Sequence, residues 1–83
     1  MIKANIIKNL CYTELVYYRV NNKLNLNLTK DEVEEFISTL IAEIPEQEIV
    51  KTGKNYYLVN HRKNVRLTIN SNNYRLITVD KIN

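Results

Sequence analysis

The spacing of apolar residues changes at Pro45, and this change constrains the fold more than any other feature of the sequence. Before the proline, apolar residues recur at intervals of three and four, which is typical of one face of a helix. After it, apolar and polar residues alternate, which is typical of strands in an antiparallel sheet. Proline pushes the preceding residue out of helical backbone, so the helix must end at this point. The helical stripe consists of Val33, Phe36, Ile37, Leu40, Ile41 and Ile44.

The segment Thr29-Lys30-Asp31-Glu32 marks the start of this helix. It matches the capping box, in which a threonine and the glutamate three residues later satisfy free backbone N–H groups at the helix start. Its acidic residues also suit the positive end of the helix dipole. The helix is therefore predicted to begin at Thr29.

A further helical segment is predicted over residues 2–24, with a break near Cys11 to Thr13. Threonine is a residue type that caps helices, so Thr13 is a candidate cap for a second helix, although Val16 at the third position gives no capping box. The apolar spacing predicts that Leu15 and Tyr18, together with Val16, Val20 and Leu24, belong to the buried stripe of this helix. Cys11 is predicted to be a small core residue.

Four strands are predicted after Pro45, separated by turns rich in glycine and asparagine. In the third strand, Val65, Leu67 and Ile69 point to one face and the polar residues between them to the other. We predict a single α+β domain over residues 1–83, with two or three N-terminal helices packed on a C-terminal antiparallel β-meander of three to four strands. The strands are predicted near Glu48 to Thr52, Tyr56 to Asn60, Val65 to Asn70 and Tyr74 to Asp80, and the turns at Gly53-Lys54-Asn55, His61-Arg62-Lys63-Asn64 and Ser71-Asn72-Asn73.

The single cysteine, Cys11, excludes an internal disulfide and a cysteine-rich metal site. This cysteine usage fits a reducing compartment, so a cytoplasmic location is expected. No apolar run approaches the roughly 18 residues of a membrane span, so no membrane partner is expected. The sequence has no glycine-rich phosphate loop, nucleophile elbow or metal-ligand spacing, and no cofactor is expected.

Between Lys51 and Val79 the chain carries six Lys or Arg residues and no Asp or Glu, although its net charge is only +3. Cations bind phosphates, and nucleic-acid bases stack on aromatic rings. Tyr56 and Tyr57 are consecutive and point to opposite faces, so at most one of them joins a basic face. We therefore expect a non-enzymatic protein whose basic sheet face engages RNA or an RNA–protein complex. The predicted contact residues are Lys51, Lys54, Arg62, Lys63, Arg66 and Arg75 on phosphates, with Tyr57 stacking on a base.

Other interpretations fit the same residues. An ordinary solvent-facing sheet shows the same polar alternation. A mobile-element inhibitor of a nucleic-acid-guided defence nuclease, of the anti-CRISPR type, would place the basic face on an acidic protein surface. A toxin-type ribonuclease would use His61, the only histidine, with Arg62 and Arg66, although no second acid or base is evident. A homodimer would add burial to a core this small.

Four segments of the sequence carry a resemblance to a known family: Cys11-Tyr12-Thr13-Glu14-Leu15, Gly53-Lys54-Asn55-Tyr56-Tyr57, Leu67-Thr68-Ile69-Asn70-Ser71 and Tyr74-Arg75-Leu76-Ile77-Thr78-Val79-Asp80-Lys81. They resemble the bacterial family known as domain of unknown function 3781, and the resemblance covers nearly the whole chain. It implies the fold but no activity. Members of that family often carry histidines at the positions of Cys11 and Asp80. Both histidines are missing in this chain, so the resemblance favours a binding protein or an inhibitor over an enzyme.

Overall fold

In the computed structural model, which describes residues 1–82, three helices precede a four-stranded antiparallel sheet. The strands are adjacent in chain order, so the sheet is a meander, and the predicted α+β fold is confirmed. No helix among these residues is long and apolar enough to cross a membrane. The helices are α1 (Ile2–Asn9), α2 (Glu14–Leu24) and α3 (Lys30–Ala42), followed by a short 3₁₀ helix at Glu46–Glu48. The strands are β1 (Ile49–Thr52), β2 (Asn55–Asn60), β3 (Val65–Asn70) and β4 (Leu76–Lys81).

The core lies between the helices and one face of the sheet. Leu58, Leu67 and Val79 form one cross-strand row of this face, and all three are fully buried. Burial of an aliphatic side chain of this size is favourable by roughly 1.5–3 kcal/mol, so this row ties three strands to the helical layer. The helices contribute Ile6 from α1, then Val16, Val20 and Leu24 from α2, and Val33, Ile37, Leu40 and Ile41 from α3.

The predicted capping box is present at the start of α3. Thr29 Oγ1 accepts a hydrogen bond from the N–H of Glu32 at 3.2 Å, and Glu32 Oε1 accepts one from the N–H of Thr29 at 2.9 Å. Thr13 occupies the equivalent position before α2, as predicted, but its side chain makes no capping hydrogen bond. The two helix starts therefore differ in how their free N–H groups are satisfied.

The turn between β1 and β2 has two residues, Gly53 and Lys54, rather than the three that were predicted. Thr52 pairs directly with Asn55, which belongs to β2. Gly53 has a φ of +61°, the left-handed value that a type II′ turn requires at its first central residue. This short turn sets the register of β1 on the rest of the sheet.

The prediction that Leu15 and Tyr18 are buried is wrong. Their exposed fractions are 69% and 70%, whereas Val16 and Val20 are buried. At 3.6 residues per turn, a helix places residues 16 and 20 on one side and residues 15 and 18 on the other. Only one side of α2 is covered by the core, so the second apolar side stays exposed.

The prediction that Cys11 is a core residue is also wrong, because its side chain is exposed. Its backbone forms a parallel bridge with Arg75 beside β4. The N–H of Cys11 donates to the carbonyl of Tyr74 at 2.8 Å, and its carbonyl accepts from the N–H of Leu76 at 2.9 Å. The segment between α1 and α2 thus covers the beginning of the β4 edge.

A bulge in β4 breaks the alternation that the sequence predicts there. Ile69 pairs with Leu76 and Thr68 pairs with Thr78, which leaves Ile77 as an extra residue. Leu76 and Val79 are therefore both buried although they are three positions apart. The strand begins at Leu76, and Tyr74, where it was predicted to begin, has a φ of +57° and lies in the turn.

Candidate nucleic-acid interface

The second face of the sheet, which we term the outer sheet face, is built from alternate strand residues that point away from the helices. Arg66 lies between the buried residues Val65 and Leu67 and is exposed. Tyr57 lies beside the buried residue Leu58 and is half-buried. The outer sheet face comprises Val50, Tyr57, Val59, Arg66, Thr68, Thr78 and Asp80.

Tyr57 and Arg66 form the centre of this face. Tyr57 pairs with Thr68, and Arg66 pairs with Val59, so the two side chains are diagonal neighbours on adjacent strands. The guanidinium carbon of Arg66 lies 6.0 Å from the centroid of the Tyr57 ring. Such cation–π contacts at exposed sites are worth about 0.5–1 kcal/mol, enough to favour a paired arrangement of ring and cation.

An acidic residue lies beside this pair. Asp80 is directly opposite Arg66 in the register of β3 and β4. Lys23 of α2 forms an ion pair with Asp80, with 2.6 Å between Nζ and Oδ1. One carboxylate thus stands between two cations, and this part of the outer sheet face keeps a net positive charge.

The remaining predicted cations do not form one cluster. Lys54 lies in the β1–β2 turn, whereas Arg62 and Lys63 lie in the β2–β3 turn at the opposite end of the sheet. A six-residue strand spans roughly 20 Å, so the two turns are separated by about that distance. The basic residues that are close in sequence therefore lie at two opposite ends of the sheet, with Arg66 between them.

Two predicted contact residues lie away from Tyr57. Lys51 of β1 pairs with Tyr56 of β2, and Tyr56 in turn pairs with Ile69 of β3. Residues in one cross-strand row share a face, and Ile69 is buried, so Lys51 extends from the face that carries the helices. Arg75 precedes β4 and lines a groove between that strand and α2. The structure brings Tyr57 and Arg66 together but separates them from Lys51 and Arg75.

Acidic residues approach the β2–β3 turn from distant parts of the chain. His61 Nε2 lies 3.0 Å from Glu48 Oε1. A hydrogen bond from Asn60, with the charges of Lys63 and Arg62 adding to it, lowers the pKa of the Glu43 carboxyl. The positive charge of this turn is therefore partly compensated, and Glu48 is a carboxylate neighbour of His61 that the sequence did not indicate.

The family of the chain follows from a comparison with known families. The model described as "Protein of unknown function (DUF3781)" matches residues 4–80. The chain belongs to this family. No curated protein and no solved structure matches it. The predicted resemblance is confirmed, and the family description assigns no activity.

The two positions at which the resemblance implied histidines in DUF3781 proteins lie far apart in this chain. Cys11 is beside Arg75 at the start of β4, and Asp80 is near the end of that strand. Asp80 lies five positions after Arg75 along the chain, which corresponds to roughly 16 Å. Side chains at these positions would not transfer a proton to each other directly.

Sequence reasoning also missed two cations that α2 brings to the β4 edge. Arg19 Nη1 donates to the carbonyl of Ile77 at 2.9 Å, and Lys23 binds Asp80. The i, i+4 spacing of Arg19 and Lys23 shows that they share one side of a helix, but only the packing of α2 along β4 places that side at the sheet. Within residues 1–82, no group of three or more His, Cys, Asp and Glu side chains is placed to hold a metal ion.

Proposed function

We propose that this DUF3781 protein is a non-enzymatic binding protein that engages single-stranded RNA, alone or in an RNA–protein complex, through its outer sheet face. The observation that carries the proposal is the contact between the exposed Arg66 side chain and the half-buried Tyr57 ring on the outer sheet face. Any of the four bases can stack on an aromatic ring, and a neighbouring guanidinium can bind the adjoining phosphate. RNA bound in this way would be recognised by its backbone and unpaired bases rather than by sequence.

The two basic turns set the length of RNA that this face can hold. An RNA strand that runs from Arg62 past Arg66 and Tyr57 to Lys54 would cover roughly 20 Å of the sheet. This length suits about four nucleotides, the lower end of the range for single-stranded binding domains. Three cations then lie along one path, with the aromatic ring near its middle.

The proposal predicts how binding depends on salt. Each phosphate neutralised on a single strand contributes about −0.7 to the slope of log binding constant against log salt concentration. Three phosphates should therefore give a slope of about −2 for a labelled single-stranded RNA in fluorescence anisotropy. Arg66→Ala should weaken binding and bring the slope closer to zero by about 0.7. Tyr57→Ala should weaken binding by roughly 5-fold to 150-fold with little change in slope, because stacking is not ionic.

Lys51→Ala is the matched control, because it removes the same charge from an exposed strand position on the opposite face. Its affinity should stay near that of the wild type. A flat salt response, or equal losses for Lys51→Ala and Arg66→Ala, would contradict the proposal. A protein complex that survives nuclease treatment, without RNA binding, would favour the inhibitor interpretation instead.

A second candidate function rests on the contact between His61 and Glu48, which line a groove of about 220 Å³ together with Arg62. In a ribonuclease of this kind, Glu48 would take the proton of a 2′-hydroxyl as its oxygen attacks the adjacent phosphorus. Protonated His61 would donate a proton to the leaving 5′-oxygen as the phosphorus–oxygen bond breaks. Arg62 would stabilise the negative charge on the phosphate oxygens.

Denaturing gels of end-labelled RNA test this second candidate. His61→Ala and Glu48→Gln should each abolish cleavage, whereas Arg75→Ala, in a different groove, should not. A 2′-deoxy strand should stay intact because it lacks the attacking hydroxyl. Cleavage of that strand, or full activity of His61→Ala, would rule out this mechanism.

A further inference from the structure

The side of α2 opposite the core carries an apolar ridge. Leu15 and Tyr18 are 69% and 70% exposed, and Asn22 follows four residues later on the same side. These three residues, which we term the α2 ridge, are spaced by three and four and therefore form one line along the helix. Leu15 and Tyr18 are three residues apart on one helix, so the two exposed side chains are neighbours and form one apolar patch.

Opposite charges flank the α2 ridge. At about 100° per residue, Glu14 and Arg19 lie roughly 70° to either side of its centre. The Glu14 side chain is 77% exposed and pairs with Lys30 at the surface. Arg19 is also exposed, and its bond to the Ile77 carbonyl uses one of several guanidinium donors. Both charges are therefore accessible to a partner.

We infer that the α2 ridge is a self-association surface on which two copies pack α2 against α2 in parallel. A twofold axis parallel to the helices places the Glu14 flank of one α2 ridge against the Arg19 flank of the other. Glu14 of each copy then faces Arg19 of the other, and the symmetry makes this contact twice. An antiparallel pair would instead bring like flanks together, with acidic beside acidic and basic beside basic.

The residue spacing is that of a parallel two-stranded coiled coil. Leu15 and Tyr18 take the first and second core positions of a heptad, and Asn22 takes the first core position of the next. Glu14 and Arg19 are five residues apart, which is the separation of the interhelical ion pairs in such coils. An asparagine at a core position fixes register and favours two strands.

A second copy of the chain fits this surface better than an unrelated partner, because the charge pattern is complementary to itself. The surface covers about two helical turns, so the association belongs to the weak class of small interfaces. It lies on α2 and leaves Tyr57 and Arg66 of the outer sheet face accessible. The inference is therefore independent of the proposed RNA binding.

Sedimentation equilibrium of the full chain over about two decades of concentration tests the inference. The wild type should show a reversible monomer–dimer equilibrium. Tyr18→Glu should raise the dissociation constant at least about tenfold, because it buries a charge in the interface. Val50→Glu is the matched control, since Val50 is 54% exposed but lies on the sheet. A monomer at every concentration, or a dimer broken by Val50→Glu and not by Tyr18→Glu, would overturn the inference.

Charge exchange tests the parallel arrangement itself. Glu14→Arg and Arg19→Glu should each raise the dissociation constant by about fivefold, because each replaces two attractions by repulsions. The double variant should recover most of the wild-type affinity. Thermal unfolding at low concentration separates these effects from loss of the Glu14–Lys30 pair within one chain. A double variant that dimerises no better than either single variant would exclude the parallel contact.

Discussion

Asn60 is the side chain whose replacement we expect to be most informative about the stability of this fold. It ends β2 and is only 3% exposed. Its Nδ2 donates to the carbonyl of Leu40 and to Glu43 Oε1, both at 3.0 Å. Its Oδ1 accepts from the N–H of Lys63 at 3.0 Å. One amide thus joins the last turn of α3 to the β2–β3 turn.

Asn60→Ala removes these bonds and leaves the Leu40 carbonyl and the Lys63 N–H without their partner. An unsatisfied buried group such as the Leu40 carbonyl costs about 1–3 kcal/mol, and the Lys63 N–H, which is only part-buried, adds about 1 kcal/mol, so we expect a loss of about 2–4 kcal/mol. For a domain of this size the melting temperature should fall by roughly 10–25 °C. Urea unfolding followed by circular dichroism measures the loss directly.

Asn70→Ala is the matched control. Asn70 ends β3 as Asn60 ends β2, and its Oδ1 accepts from the N–H groups of Asn72 and Asn73 at 2.8 and 3.1 Å. Those N–H groups are exposed, so water can replace the lost acceptor and the cost should stay below about 1 kcal/mol. Equal losses for the two variants would refute the argument that burial decides the cost.

Two further predictions concern the helices. The hydrogen bond to Glu34, with burial adding to it, raises the pKa of Tyr17 to about 12, and burial raises that of Tyr12 to about 12. The stability linked to these raised pKa values is present below pH 10 and is lost as the pH rises towards 12. In an ultraviolet titration, Glu34→Gln should return the pKa of Tyr17 towards 10 and leave the pKa of Tyr12 high. An unchanged pKa of Tyr17 would contradict the assignment of its shift to Glu34. Thr29→Ala should lower the free energy of unfolding by about 1 kcal/mol because it removes a capping hydrogen bond. Thr13→Ala should have little effect, because the Thr13 side chain makes no capping hydrogen bond. Equal changes of the two variants in denaturant unfolding would contradict this difference.

Features that depend on neighbouring residues alone could be predicted from the sequence. The capping box at Thr29 and the apolar stripe of α3 need only the geometry of a helix. The positive φ of Gly53 needs only the absence of a Cβ. Three of the four buried residues of β3, Val65, Leu67 and Ile69, follow from strict alternation along a strand, whereas the burial of Thr68 does not. These features are local, so the order of helices and strands could be predicted correctly.

Features that depend on which layer covers an element could not be predicted. The apolar spacing of α2 fits two sides of the helix, and only packing decides that Val16 is buried and Leu15 is exposed. The bulge at Ile77 shifts the faces of β4 because the pairing with β3 changes by one residue there. A shift of one residue reverses every side chain that follows it.

For the candidate site, the sequence determined that Tyr57 and Tyr56 face opposite sides and that the segment from Lys51 to Val79 carries six cations and no carboxylate. Only the tertiary structure decided that Arg66 reaches Tyr57, that Lys51 lies on the other face, and that Asp80 stands beside Arg66. The physical reason is that electrostatic interaction depends on distance in space. A window of the chain free of acidic residues does not prevent carboxylates from outside that window from folding against it.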